Sequence, residues 1–224
     1  MNESISYWTL GHAILMLMAI IVAIICDASY VLIWAVSFSI SVLIIITYPI
    51  WIQLHPVGGF ANHVTFARFV LLTLALSLQN ILNPFVVAAM IVVVMIADGI
   101  DGYLSRRLHQ STEFGAVFDM EVDAFLALAL TFLIWKEHRA AFWILGAGLL
   151  RYMFVILYRI IRWHKRRHPV IRKAKVLAVL FFISLLTPLV IEWYAARWIV
   201  AAGCTLVTYS FVKEFYLTSK EHKY

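Results

Sequence analysis

Apolar runs of about twenty residues follow one another along this chain with only short interruptions. A helix needs roughly 20 apolar residues to cross the hydrocarbon core of a bilayer, so these runs constrain the fold more than any other feature. Because backbone polar groups must be satisfied inside lipid, the runs are predicted to be helices. The composition agrees, since 64% of the residues are hydrophobic, 13% are charged and the mean hydropathy is +0.92. We therefore expect an all-helical integral membrane protein.

The predicted fold is an all-α polytopic membrane helical bundle of about eight transmembrane helices. The spans cover residues 8–26, 29–51, 64–82, 84–104, 116–135, 141–161, 175–191 and 196–216. Lys and Arg concentrate after the fourth span, between the sixth and seventh spans and at the C-terminus, which all lie on one face of an eight-span bundle. Because such residues are retained in the cytoplasm, we expect this face to be cytoplasmic. We expect the net charge of +6 to attract anionic lipid headgroups at the membrane surface, and we do not expect a nucleic-acid partner.

Two carboxylate pairs interrupt the apolar pattern. Asp98 and Asp101 are three residues apart near the end of the fourth span, and Asp119 and Asp123 are four apart near the start of the fifth. Residues at these spacings share a helix face, and the short link predicts that the two helices are antiparallel neighbours. A divalent cation would relieve the repulsion among four carboxylates, and oxygen ligands favour Mg²⁺, Mn²⁺ or Ca²⁺. The alternative for any single Asp is an interfacial charge paired with Arg or Lys, but intramembrane carboxylates favour a functional site.

Small residues and an arginine lie between the two pairs. Gly102, Ser105 and Gly115 leave helix surface without bulk, against which a ligand can lie, although helix packing explains such residues equally well. Arg106 lies one turn beyond Gly102, and a guanidinium suits phosphate oxygens. Beside a metal site, this pattern indicates a phosphoanhydride ligand. The sequence has no Walker-type Gly-rich loop, so a P-loop mechanism is not predicted.

These residues form the pattern Asp98-x2-Asp101-Gly102-x2-Ser105-Arg106-x8-Gly115-x3-Asp119-x3-Asp123. The pattern resembles the signature of the CDP-alcohol phosphatidyltransferase family, D-x2-D-G-x2-A-R-x8-G-x3-D-x3-D, with Ser105 in place of the usual Ala. Upstream, Asn62-x2-Thr65-x2-Arg68 is similar to the short signature that opens the family's first core helix. The resemblance implies a six-helix core over residues 62–224. Residues 1–61 are then two additional N-terminal transmembrane helices.

The resemblance implies transfer of a phosphatidyl group from a CDP-linked lipid, typically CDP-diacylglycerol, to an alcohol, with release of CMP in phospholipid biosynthesis. It implies two Mg²⁺ or Mn²⁺ ions held by Asp98, Asp101, Asp119 and Asp123, with Asp123 also the candidate general base. The implied nucleotide and diphosphate pocket is lined by Gly102, Ser105, Arg106 and Gly115. We expect a homodimer in the bacterial inner membrane, with the active site facing the cytoplasm.

The acceptor alcohol is less well defined by the sequence. Phosphatidylglycerophosphate synthases of this family commonly carry D-P-x-A-D-K at the third and fourth Asp, whereas this chain reads Asp119-Met120-Glu121-Val122-Asp123-Ala124 and lacks the Pro and the Lys. By helix geometry Glu121 faces away from Asp119 and Asp123, so it is not predicted to be a ligand.

Cationic residues of the second half of the chain are candidates for the acceptor pocket. Arg151 lies near the middle of the sixth span, where a bare charge costs at least about 2.5–3.5 kcal/mol and needs a partner or a cavity. The candidate acceptor-binding residues, for a phosphorylated alcohol such as glycerol 3-phosphate or inositol phosphate, are Arg151, Arg159, Arg172 and Lys173. The alternatives are an ion pair or a snorkelling head for Arg151, and lipid headgroups for the other three.

Two other functions remain as alternatives, a membrane cation transporter and a catalytically inactive member of the family. Transporters tend to have broken helices near the bilayer midplane and internal repeats, and the sequence shows neither. Every expected Asp is present, which favours an active enzyme. Divalent-cation-dependent release of CMP distinguishes the transferase from both alternatives.

Overall fold

The computed structural model describes residues 3–53, 57–107, 112–161, 172–191 and 193–221, and every regular element in these ranges is an α-helix. The helices are α1 Glu3–Ile25, α2 Tyr30–Trp51, α3 Phe60–Leu78, α4 Pro84–Arg107, α5 Glu113–Lys136, α6 Ile144–Ile160, α7 Arg172–Val190 and α8 Trp193–Glu221. The all-helical prediction is confirmed, and each helix overlaps the corresponding predicted span.

Within the described residues, α1, α2 and α3 are long and apolar enough to cross a membrane. Helices α4 and α7 contain shorter apolar stretches, Pro84–Ile100 and Val176–Val190. On α2, the large side chains of Trp34, Phe38 and Ile45 are 73%, 66% and 72% exposed. Apolar side chains that face outward along a hydrophobic helix are typical of contact with lipid tails. The chain is accordingly an integral membrane protein.

Local signals set the starts of α4 and α5. The Asn83 Oδ1 atom accepts a hydrogen bond of 2.9 Å from the Phe85 backbone N–H, and Pro84 occupies the first helical position, where no N–H is needed. At the start of α5, the Thr112 hydroxyl oxygen accepts a hydrogen bond of 3.0 Å from the Gly115 backbone N–H. This is the arrangement of a helix N-cap. The caps therefore fix the first turns of the two helices that carry the carboxylate pairs.

The chain forms two compact units, Met1–Leu126 and Ala127–Tyr224. In the first unit α1 packs on α2 and α3 packs on α4, around side chains such as Met16, Leu43, Leu72 and Ile91 that are completely buried. In the second unit α7 packs on α8, and Gly203 lies against Ser184. Small residues of this kind let membrane helices approach closely.

Candidate active site

A buried arginine on α3 joins three helices of the first unit. Arg68 is 2% exposed, and its Nε donates a hydrogen bond of 3.2 Å to the backbone oxygen of Val94 on α4. Its Nη1 donates to Asp119 Oδ1 and its Nη2 to Asp123 Oδ1, both at 2.6 Å. The Nη1 atom also lies 3.3 Å from Asp98 Oδ1. One guanidinium thus holds α3, α4 and α5 together through charge-assisted contacts.

The carboxylates of Asp98, Asp119 and Asp123 form a cluster around this guanidinium. Each offers one oxygen, and these oxygens all lie within 4.8 Å of one another. Asp119 and Asp123 are one turn apart on α5, as their spacing predicts, and Asp98 comes from α4. Their side chains are 45%, 37% and 37% exposed in sequence order. The three carboxylate side chains are therefore partly exposed although Arg68 is not.

This donor set fits a hard divalent cation. When all three carboxylates are ionised, one guanidinium leaves two negative charges uncompensated within the cluster. Mg²⁺ and Mn²⁺ prefer oxygen ligands at about 2.0–2.2 Å, so ligand atoms of one ion lie up to about 4 Å apart. Oxygens within 4.8 Å of one another need only a small shift to meet that condition.

The remaining motif residues of the fourth span, Asp101, Gly102, Ser105 and Arg106, belong to α4, and their side chains lie outside the described part of the structure. Asp101 follows Asp98 by three residues on the same helix, which places both on one face. Its assignment as a metal ligand, and the assignment of the other three to a nucleotide and diphosphate pocket, stay predictions.

Gly115 has a specific packing partner. A Cβ atom at this position would lie 2.6 Å from Asn62 Oδ1 and 3.1 Å from the Thr112 hydroxyl oxygen. Asn62 is 5% exposed, and its Nδ2 donates a hydrogen bond of 2.7 Å to the Gly58 backbone oxygen. The close approach of α3 to α5 leaves no room for a side chain here. Packing, the alternative raised from the sequence, therefore accounts for this glycine, and its role in a nucleotide pocket stays a prediction.

The candidate acceptor residues belong to the second unit, whereas the carboxylate cluster belongs to the first. Arg151 is half-buried on α6, and Arg159 is exposed near the end of the same helix. Arg172 and Lys173 begin α7, and their side chains lie outside the described residues. The acceptor role of all four stays a prediction.

Two contacts of the first unit were not predicted. In the sequence, Arg68 is marked only as the last residue of the Asn62-x2-Thr65-x2-Arg68 pattern. That pattern indicates a functional residue but not its partners. The second contact is between His12 on α1 and Glu121 on α5, whose Nε2 and Oε2 atoms are 3.7 Å apart. It agrees with the prediction that Glu121 faces away from Asp119 and Asp123, but no pattern in the sequence singled out His12.

The described part of this helical membrane protein thus holds a partly exposed carboxylate cluster, of a kind that suits a hard cation, backed by a buried arginine. A profile of the CDP-alcohol phosphatidyltransferase family matches residues 59–209, more than half of the chain. The protein belongs to this family, which confirms the resemblance found in the motif. The match includes Arg68 and all the motif carboxylates, whereas α1 and α2 lie before it.

Curated relatives include two enzymes named CDP-diacylglycerol–glycerol-3-phosphate 3-phosphatidyltransferase. The protein from Haemophilus influenzae is 37% identical over 62 residues, which is 28% of this chain and 33% of the relative. The protein from Escherichia coli is 37% identical over 62 residues, or 28% of this chain and 34% of the relative. The chain thus spans about a third of the length of the curated relatives that it matches. No solved structure shows significant similarity to it.

Proposed function

We propose that the protein transfers a phosphatidyl group from CDP-diacylglycerol to an alcohol acceptor, with release of CMP, in a divalent-metal-dependent step of phospholipid biosynthesis. The observation that carries this proposal is the cluster of Asp98, Asp119 and Asp123 in a chain of the CDP-alcohol phosphatidyltransferase family. The names of the curated relatives contain the same lipid donor, which supports its choice.

In the proposed reaction, the alcohol oxygen forms a bond to the phosphorus that carries diacylglycerol. The bond from that phosphorus to the bridging oxygen of CMP breaks, CMP keeps the electron pair, and the alcohol proton passes to a base. Two bound Mg²⁺ or Mn²⁺ ions would supply charge compensation for the attacking and leaving oxygens. The residues proposed to hold them are Asp98, Asp101, Asp119 and Asp123.

Asp123 is the proposed general base, and Arg68 positions it. The Arg68 Nη2 atom donates to Asp123 Oδ1 at 2.6 Å, which orients the carboxylate and leaves its second oxygen to accept the alcohol proton. The same guanidinium orients Asp119 through Nη1. The residues proposed to line the nucleotide and diphosphate pocket are Gly102, Ser105, Arg106 and Gly115.

For the acceptor we propose a phosphorylated alcohol, with glycerol 3-phosphate and inositol phosphate as first candidates. The names of the curated relatives contain glycerol 3-phosphate. Met120 and Ala124 stand where phosphatidylglycerophosphate synthases commonly have Pro and Lys. We therefore propose inositol phosphate as a second candidate besides glycerol 3-phosphate. Cationic side chains suit a phosphorylated acceptor, and the residues proposed for this contact are Arg151, Arg159, Arg172 and Lys173.

The proposed setting is the bacterial inner membrane, with the site open to the cytoplasm, because Lys and Arg are retained on the cytoplasmic side. We propose that residues 1–61 are an addition to a core of residues 62–224, which is supported by a family match that begins at residue 59. A homodimer is expected because members of the family are commonly dimeric.

The test is release of CMP by the purified protein in liposomes that contain CDP-diacylglycerol, with Mg²⁺ or Mn²⁺ and a panel of acceptors. The panel contains glycerol 3-phosphate, inositol phosphate, inositol, serine, choline and phosphatidylglycerol. Asp123→Asn should abolish release, whereas Asp27→Asn should not. Asp27 is an exposed residue with a φ of 49°, a conformation that Asn tolerates well, so it is a matched control for the loss of one carboxylate.

Release with one acceptor, lost in Asp123→Asn and kept in Asp27→Asn, would support the proposal and identify the product. Folded protein that releases no CMP with any acceptor or metal would contradict it. Cation flux into liposomes without CMP release would favour the transporter alternative.

A further inference from the structure

A buried polar cluster connects the two N-terminal helices, which precede the family match, to α5. His12 on α1 is 1% exposed, and its Nδ1 lies 2.8 Å from the hydroxyl oxygen of Ser39 on α2. Its Nε2 lies 3.7 Å from Glu121 Oε2 on α5, and the two side chains are 0% and 1% exposed. Glu121 lies between Asp119 and Asp123 in the sequence. The N-terminal helices therefore reach the helix that bears two of the candidate metal ligands.

The imidazole of His12 is held in place from two sides. The Trp8 ring stacks on it, with ring centroids 5.0 Å apart and an interplanar angle of 12°. The Trp8 Nε1 donates a hydrogen bond of 2.9 Å to the backbone oxygen of Ser39, whose hydroxyl contacts the imidazole. Burying ionisable side chains is unfavourable unless they are paired, so a buried imidazole beside a buried carboxylate is a specific connection between helices.

The two sides of α5 contact two different helices, α3 through Arg68 and α1 through His12. Two residues correspond to about 200° of rotation along an α-helix, so Glu121 leaves α5 on a face nearly opposite to Asp119 and Asp123. Arg68 contacts the latter two, and His12 contacts Glu121. The rotation of α5 about its own axis is thus set from both faces, and this rotation decides where the two aspartates point.

We infer that His12 and Glu121 are positioning residues that make α1 and α2 part of the machinery that sets the affinity of the site for divalent cations. Neither residue is proposed to contact the cation or the substrate. They act through α5, by holding Asp119 and Asp123 at the angle that the cation requires. The inference rests on the proposed function, because it concerns the same carboxylates.

The test is binding of Mn²⁺ to the full-length protein in detergent, with free Mn²⁺ measured by its electron paramagnetic resonance signal. We expect His12→Ala and Glu121→Gln each to weaken Mn²⁺ binding roughly twofold to 150-fold, the range typical of coupled neighbours. The double variant should bind no more weakly than the weaker single variant, because both changes break the same connection. At saturating Mn²⁺ the KM for CDP-diacylglycerol should stay unchanged.

A matched control is available on the same helix. Thr9 is 7% exposed, and its hydroxyl donates a hydrogen bond of 2.8 Å to the Ile5 backbone oxygen within α1. Thr9→Val removes a buried polar group without touching the contact to α5, so it should bind Mn²⁺ like the wild type. A merely structural role for His12 would reduce the number of Mn²⁺ sites per chain and not the affinity of those that remain.

The outcomes separate this inference from the proposed function. Wild-type affinity in both His12→Ala and Glu121→Gln, with binding lost in Asp123→Asn, would overturn the inference and leave the metal site standing. Wild-type protein that binds no Mn²⁺, or Asp123→Asn protein that binds it normally, would overturn the metal site and the inference with it. If His12→Ala does not fold, Glu121→Gln provides the test, because Gln is nearly equal in volume to Glu. Its Mn²⁺ affinity is then judged by the same criteria.

Discussion

Arg68 and Asp123, separated by 55 positions in the sequence, are joined by a contact of 2.6 Å between Nη2 and Oδ1. The arginine side chain is 1% exposed and the aspartate side chain 37% exposed. A fixed positive charge therefore lies directly behind the carboxylate that we propose as general base. Removing either partner changes the charge balance of the whole cluster.

Replacement of Arg68 by Gln should lower the free energy of unfolding by about 1.5–3 kcal/mol, the contribution of hydrogen bonds between charged groups. The three carboxylates would then repel one another, so Mg²⁺ should raise the midpoint of thermal unfolding more in Arg68→Gln than in the wild type. Thermal unfolding in detergent, with and without Mg²⁺, measures both effects.

Arg197→Gln is the control for that experiment. In the second unit, the Arg197 guanidinium lies 4.3 Å from the ring centroid of Tyr194 and 5.2 Å from that of Trp198. Its loss should lower the free energy of unfolding by about 0.5–1 kcal/mol and leave the response to Mg²⁺ unchanged. An equal response to Mg²⁺ in Arg68→Gln and the wild type would show that Arg68 does not balance the charge of the cluster.

Asp98→Asn and Asp123→Asn should differ in their response to added metal. Asp98→Asn removes a proposed ligand, so the Mg²⁺ concentration for half-maximal CMP release should rise at least about tenfold, with activity recovered at high Mg²⁺. Asp123→Asn removes the proposed base, whose contribution is about 100-fold to 10,000-fold, and metal should not restore it. If high Mg²⁺ restored CMP release in Asp123→Asn, Asp123 would be a metal ligand and not the general base.

Gly115→Ala should be destabilising by about 1–3 kcal/mol, the range for overpacking, because its Cβ would lie 2.6 Å from Asn62 Oδ1. Asn62→Ala should reduce the penalty in the double variant, which thermal unfolding of the four proteins would measure. Gly146→Ala on α6 is the control, since a Cβ there meets no atom within 4 Å. If Gly115→Ala keeps normal stability but binds CDP-diacylglycerol poorly, the glycine is required by the ligand and not by packing.

Arg151→Ala should raise the KM for a phosphorylated acceptor at least about tenfold, because hydrogen bonds to charged groups contribute about 1.5–3 kcal/mol. The KM for CDP-diacylglycerol should stay constant, and Arg197→Gln should change neither value. Steady-state CMP release with each substrate varied in turn gives both constants. An unchanged acceptor KM in folded Arg151→Ala would remove this residue from the acceptor pocket and favour its structural alternative.

The helices and the shared face of Asp119 and Asp123 could be predicted because each depends on local sequence. Apolar runs of membrane-spanning length define the helices, and a spacing of four residues defines a helix face. Caps at Asn83 and Thr112 act within a few residues, so the starts of α4 and α5 were also close to their predicted positions.

The partners of the carboxylates could not be predicted, because they come from distant helices. Arg68 reaches Asp119 and Asp123 across more than fifty residues, and which arginine of a basic chain does so depends on how the helices pack. His12 lies near the start of the first predicted span and belongs to no motif. Its contact with Glu121 becomes visible only when α1 and α5 are placed together.

The contrast in exposure within the cluster has a kinetic consequence. The arginine is enclosed while the three carboxylate side chains remain 37% to 45% exposed, so the negative groups of the cluster form its outer side. An approaching cation therefore meets the partly exposed carboxylates before the enclosed guanidinium. For the metal-dependent transfer proposed above, we expect the rate of CMP release to follow the free Mg²⁺ concentration.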